Sequence, residues 1–130
     1  MTASRPPCGA ARESRGRTSF HAGLAAEEQV SRHYDRSGRP VIARRWRGSV
    51  GEIDLIAREG DVVVFIEVKK SGTHAEAAEH LTYHQQQRIM ATASEFVGGE
   101  PKGQLTDMRF DVALVDEMGR IQIIENALTA

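Results

Sequence analysis

The stretch GEIDLIAREGDVVVFIEVK, residues 51–69, decides the fold. Two runs inside it, residues 52–58 and 62–69, are rich in β-branched and aromatic side chains, and Glu59-Gly60 between them is a hairpin signal. Alternation along the second run places Val63, Phe65, Glu67 and Lys69 on one face and Val62, Val64, Ile66 and Val68 on the other. On the first run Glu52, Asp54 and Ile56 share a face in the same way. A turn centred on Glu59-Gly60 sets Asp54 opposite Phe65 and Glu52 opposite Glu67, with Asp54 and Glu67 diagonal neighbours whose Cα atoms are roughly 7–8 Å apart. Carboxylates on an otherwise apolar strand need a compensating partner, because an unpaired ion in a low dielectric is very costly. A divalent cation is an economical one: Mg²⁺ is typically held by one or two carboxylates together with substrate phosphate. Lys69 beside the pair can orient a water and offset charge building on phosphorus. The same spacing also fits a plain strand-surface ion pair between Glu67 and Lys69, with Asp54 at a sheet edge.

Working outward, Leu24, Glu27, Val30 and Tyr34 form a helical stripe over residues 21–37, ended by Gly38 and Pro40. Glu27 lies on the stripe, and Glu28 groups with Ser31 and Arg32 on the wet side. Residues 41–46 make a further strand. A second helical region spans residues 75–97, with Thr82-x-x-Gln85 inside it as a capping-box pattern that predicts a break. Residues 108–115 and 120–125 complete the set as strands about a turn at 117–119. The order αβββαββ describes an α/β protein, a central sheet flanked by helices.

The 130 residues suit one domain, with 17 Lys+Arg against 18 Asp+Glu overall. That balance conceals a split: ten Arg and four acids before residue 48, seven Lys+Arg and fourteen acids after it. Such asymmetry hints at a polyanion-binding region beside an acidic site. Residues 1–19, with Pro6, Pro7, Gly9, Gly16 and four Arg, read as a disordered basic arm, leaving residues 20–130 as the folded domain. The longest purely apolar run, residues 62–66, is far shorter than the roughly 20 residues a membrane helix needs. With no apolar leader and only Cys8, a cytoplasmic protein without disulfides is expected. Arg44-Arg45-Trp46-Arg47 offers bidentate phosphate donors and one aromatic surface, making nucleic acid a natural partner. Trp46 would serve a core equally well.

Asp54, followed thirteen residues later by Glu67-Val68-Lys69, resembles the D…(D/E)xK signature of restriction-endonuclease-like nucleases. From Glu27 through GEIDLI (51–56), FIEVK (65–69) and RFDV (109–112), the chain resembles more closely the bacterial YraN (UPF0102) family, related to archaeal Holliday junction resolvases. The resemblance spans about residues 21–116. It implies a restriction-endonuclease-like core with a mixed sheet, in which Asp54 and Glu67 bind Mg²⁺ or Mn²⁺, Glu27 adds an outer carboxylate and Lys69 is the catalytic lysine. Gln86 matches the glutamine of the family's Lys-Gln pair, with Gln85 replacing the lysine. Ala26 and Ser71 also depart from the family pattern, at a Gly and an Arg. Asp111 reads as a structural partner rather than a ligand.

The expectation is therefore a metal-dependent endonuclease acting on DNA, including branched or otherwise structured DNA. The alternative is a non-catalytic nucleic-acid-binding module that keeps the nuclease fold, and a third reading is a protein-interaction element. Junction-cutting relatives commonly dimerise, so a homodimer is one expectation for the assembly.

Overall fold

A computed structural model describes residues 25–70 and 82–127. The basic arm at 1–19, the start of the first helix, the first part of the second helical region and Ser71 lie outside the described residues. Within them the chain forms α1 (residues 25–36), β1 (Val41–Arg47), β2 (Glu52–Glu59), β3 (Val62–Lys70), α2 (Tyr83–Val97), a 3₁₀ turn (Gly103–Leu105), β4 (Met108–Val115) and β5 (Ile121–Ile124). The strands lie in the order β1-β2-β3-β4-β5, and β3 with β4 is the one parallel pair. This is the expected mixed sheet in the order αβββαββ. Antiparallel neighbours are joined by short turns, whereas the parallel pair needs the long crossover that contains α2.

The hairpin between β2 and β3 turns one residue later than the sequence suggested. Glu59 pairs with Val62 around Gly60-Asp61, and the ladder runs back to Leu55↔Ile66. Gly60 adopts φ 59°, the left-handed conformation that a tight two-residue turn demands and glycine supplies cheaply. The shift changes which residues face each other. Continued past Leu55, the register sets Asp54 opposite Glu67, where the expected register had made them diagonal.

Each face of the sheet carries its own core. Ala26, Val30 and Tyr34 of α1 pack on Leu55, Ala57, Val64, Ile66, Ala113 and Val115. Ile89, Ala93 and Val97 of α2 pack on Ile56, Val63, Phe65 and Phe110. Burying each large aliphatic or aromatic side chain contributes about 1.5–3 kcal/mol. The capping box is present as predicted: Thr82 accepts from the Gln85 amide at 3.2 Å, and Gln85 Oε1 accepts from the Thr82 amide at 2.8 Å. Thr82 is thus the N-cap of α2. One expectation for α1 is corrected: Ser31 is buried rather than on the wet side, because the Arg44 guanidinium reaches over α1 and donates to its hydroxyl at 2.9 Å. Among the described residues no helix is long and apolar enough to cross a membrane.

Asp111 ties α1 to the sheet. Its buried carboxylate accepts from the Tyr34 hydroxyl at 2.7 Å, from Arg109 at 3.0 and 3.2 Å, and from the Asn126 amide at 3.0 Å. Burial, followed by the hydrogen bond to Asp111, pushes the Tyr34 phenol above its ordinary range. The geometry bears out Asp111 as a structural residue. Asp111→Ala should cost about 3 kcal/mol, since it leaves a buried phenol and the Asn126 amide without their acceptor and Arg109 with Glu59 as its remaining carboxylate. Tyr34→Phe, which leaves the carboxylate its other donors, should cost only about 1–2 kcal/mol. Urea unfolding of the two variants checks the ranking.

Candidate active site

The site begins where β2 leaves β3. The last pair of their ladder is Leu55↔Ile66. Beyond it the Val68 amide donates at 2.9 Å to Oδ2 of Asp54, so a side chain takes up a backbone donor on the divergent stretch. Strict alternation also fails here: Ile53 packs with Ile56 in the α2-side core, while Leu55 and Ala57 pack under α1. On the neighbouring strand, between the pairs Arg44↔Leu55 and Trp46↔Ile53, Arg45 has φ 49°. A non-glycine residue in that region is uncommon and marks a constrained backbone.

The divergence opens a cleft of about 340 Å³, lined by Glu52, Asp54 and Glu67 from the sheet and Gln85, Arg88 and Ile89 from α2, with Val50 and Gly51 at its lip. Asp54 and Glu67 lie within electrostatic reach of each other across the cleft. Burial, then the Asp54 charge, pushes Glu67 from 4.5 up to about 8, and Lys69 opposes the rise. Asp54 is raised too, chiefly by burial, against the lowering effects of the Val68 amide and Lys69. Two carboxylates this close cannot both ionise without a counter-charge. Without one, the Glu67 carboxyl keeps its proton near neutral pH. Among the described residues, Glu67 Oε1 is the one buried side-chain polar atom without a hydrogen-bond partner.

That orphaned oxygen beside a second carboxyl group fits a hard cation. Mg²⁺ and Mn²⁺ take oxygen donors, and two carboxylates suffice when substrate and water complete the shell. The three-carboxylate set with Glu27 is not assembled: among the described residues no three His, Cys, Asp or Glu side chains gather closely enough to hold an ion. Glu27 pairs with Arg45 at 3.4 Å. It remains within electrostatic reach, since burial and then Asp54 raise its pKa, and its charge raises that of Glu67.

On α2 the structure redistributes the expected roles. Gln86, the expected glutamine, is half-buried one turn before Ile89 and does not line the cleft. Gln85 and Arg88 do, because residues three apart share a helix face. Arg88 was missed from the sequence. Its i, i+3 relation to Gln85 was the available signal.

The Arg44–Arg47 cluster also separates. Arg44 pairs with Glu28 and bonds Ser31, and Arg45 pairs with Glu27. Trp46 is half-buried, its ring edge-on to Phe96 with centroids 5.2 Å apart, so it packs under α2 and is not a free stacking platform. Arg47 is exposed opposite Glu52, with no ion pair among the described residues.

Residues 26–115 match the model of the uncharacterised protein family UPF0102. The chain belongs to that family. It is 67% identical over 115 residues to a UPF0102 protein of Cereibacter sphaeroides strain KD131, covering 88% of this chain and 98% of the relative. A UPF0102 protein of Roseobacter denitrificans is 56% identical over 119 residues, 92% of each chain. One from Dinoroseobacter shibae is 44% identical over 126 residues, 97% of this chain and 94% of the relative. The matched span runs from the turn of α1 that carries Glu27 to the end of β4, and contains the whole cleft.

The raised Glu67 gives a stability signature with a definite sign. Between pH 4.5 and about 8 the folded chain holds a proton on Glu67 that the unfolded chain has lost. Its contribution to stability is full below 4.5 and fades as pH rises through 8. In metal-free buffer the thermal midpoint should decline over that interval, and Glu67→Gln should flatten the decline. Thermal melts across the pH range, with a chelator present, check this.

Proposed function

We propose that this UPF0102 protein hydrolyses phosphodiester bonds in DNA, including branched or structured DNA, with Mg²⁺ or Mn²⁺ held by Asp54 and Glu67. The observation that carries the reading is the buried, unpartnered Oε1 of Glu67 beside a second carboxylate, with Lys69 acting on both. When bound, such an ion supplies a Lewis acid for a phosphoryl oxygen and lowers the pKa of a coordinated water.

The chain's own groups do the rest. Asp54 is held in one orientation by the Val68 amide, so its free oxygen is aimed before any ligand arrives. Lys69 carries a positive charge next to the carboxylates; its ammonium orients the attacking water and offsets charge on the pentacoordinate phosphorus. Glu27, kept outside by Arg45, is a positioning residue that tunes the field on the inner pair. Arg47, exposed opposite Glu52, is available to a phosphate of the backbone. A cytoplasmic location, with DNA accessible and thiols reduced, accords with this chemistry and with the single Cys8.

A second reading, a nucleic-acid-binding module without cleavage, is favoured by one observation: the cleft receives the neutral Gln85 where the family resemblance leads one to expect a lysine. Cleavage assays separate the two. Purified protein should nick linear, flapped or four-way DNA in Mg²⁺ or Mn²⁺. Asp54→Asn and Lys69→Ala should each lower the rate at least about 100-fold. Cutting that survives both substitutions assigns the activity elsewhere. Salt-sensitive binding with no cutting in either metal selects the module.

A further inference from the structure

The side chains at the cleft include one cation that sequence reading passed over. Arg88 lies on the exposed side of α2 and lines the same cleft as Glu52, Asp54 and Glu67. Three acids surround that space, yet Arg88 makes no ion pair among the described residues. Arg39, Arg44, Arg45, Arg58, Arg109 and Arg120 each close on a carboxylate. Arg88 is also the only Arg or Lys of α2.

Its stem is guided by the turn between β1 and β2. A Cβ placed on Gly51 would come within 2.7 Å of Arg88 Cγ and 2.9 Å of Cδ, with Thr92 Oγ1 at 3.0 Å. The missing side chain therefore leaves a groove in which the aliphatic part of Arg88 rests. The Gly48 amide donates to the Gly51 carbonyl at 2.8 Å, closing the turn. At the far end of α2, Glu95 accepts from the Ser49 amide at 2.8 Å and the Ser49 hydroxyl at 2.7 Å, anchoring the same turn to the helix. Turn and helix hold each other, and the guanidinium is carried on a supported stem at the rim of the acidic cleft.

We propose that Arg88 is a phosphate-binding residue, which grips a non-bridging oxygen of the nucleic-acid backbone as it enters the cleft. The proposal rests on the nuclease reading and deepens it by naming the group that holds the substrate. A planar guanidinium suits phosphate because two parallel N–H donors match two oxygens. The carboxylates repel a polyanion, so an anchoring cation at the rim is what brings a phosphate close to them. Gln85, one turn earlier, adds an uncharged lining and leaves Arg88 to supply that charge from α2.

The test uses the full chain carrying Asp54→Asn, so that DNA is bound without being cut, and follows duplex affinity against salt by fluorescence anisotropy. Adding Arg88→Ala should weaken binding about tenfold at low salt and reduce the slope of log affinity against log salt by about one. Arg88→Lys should restore the slope while recovering only part of the affinity. Gly51→Ala keeps the charge but fills the groove, and should weaken binding with the slope little changed. Thermal midpoints establish that every variant is folded. An Arg88→Ala protein with unchanged affinity and slope overturns the phosphate role, even where Asp54→Asn and Lys69→Ala have abolished cleavage in the parent. If the Asp54→Asn protein shows no salt-dependent binding, and the parent no cleavage, the nuclease reading and this assignment fall together.

Discussion

The hydrogen bond from the Val68 amide to the Asp54 carboxylate is the constraint from which the site follows. A β-ladder that continued unbroken past Leu55↔Ile66 would have placed backbone against backbone and left no room for a cleft. Asp54 replaces that pairing with a side chain, and the strand it belongs to rotates so that Ile53 and Ile56 enter the same core. The opening costs ladder hydrogen bonds, which the carboxylate offsets in part. It also commits one oxygen of Asp54 to the backbone, so the remaining lone pairs and those of Glu67 are what a ligand meets.

The two helices have unlike tasks around this opening. α1 supplies the acid side: Glu27 stands near the inner pair but is restrained by Arg45, whose left-handed backbone is the visible sign of the distortion on β1. α2 supplies the neutral and basic side through Gln85 and Arg88. On the other face of the sheet the buried Tyr34–Asp111 hydrogen bond ties α1 to β4, and Arg109 of the same strand supports the carboxylate. Membership of UPF0102 covers this whole unit, from the first described turn of α1 to the end of β4.

The sequence was most legible where local chemistry is decisive. Strand periodicity located β1 to β5 to within a residue or two, and Thr82-x-x-Gln85 marked a helix start that the structure shows at Thr82. The D…ExK spacing brought Asp54 and Glu67 together even though the assumed turn lay one residue early, because the resulting two-residue shift of each partner preserves which face each residue takes. What stayed hidden depended on other elements. The turn position rested on whether Gly60 would be its first or second residue. Glu27 sits on the inward stripe, but only the fold reveals that Arg45 intercepts it. Trp46 could stack or pack, and Phe96, fifty residues away, settles the matter. Gln86 and Gln85 differ by 100° of helix rotation, too little for a pattern to distinguish before the axis of α2 is known.

The contrast between the glycines of the two turns bounding β2 determines where the chain can be lengthened. Nothing lies within 4 Å of the space a side chain would fill at Gly60, and Asp61 beside it is exposed. At Gly48 and Gly51 the same space is already taken by Glu95 and by Arg88. Strand geometry puts Gly60 roughly 20 Å from Asp54 along the hairpin. A peptide tag or a fluorophore spliced in at 60–61 would hang from the closed end of the hairpin, clear of the cleft, whereas lengthening the turn at 48–51 would disturb the contacts its glycines make with Glu95 and Arg88.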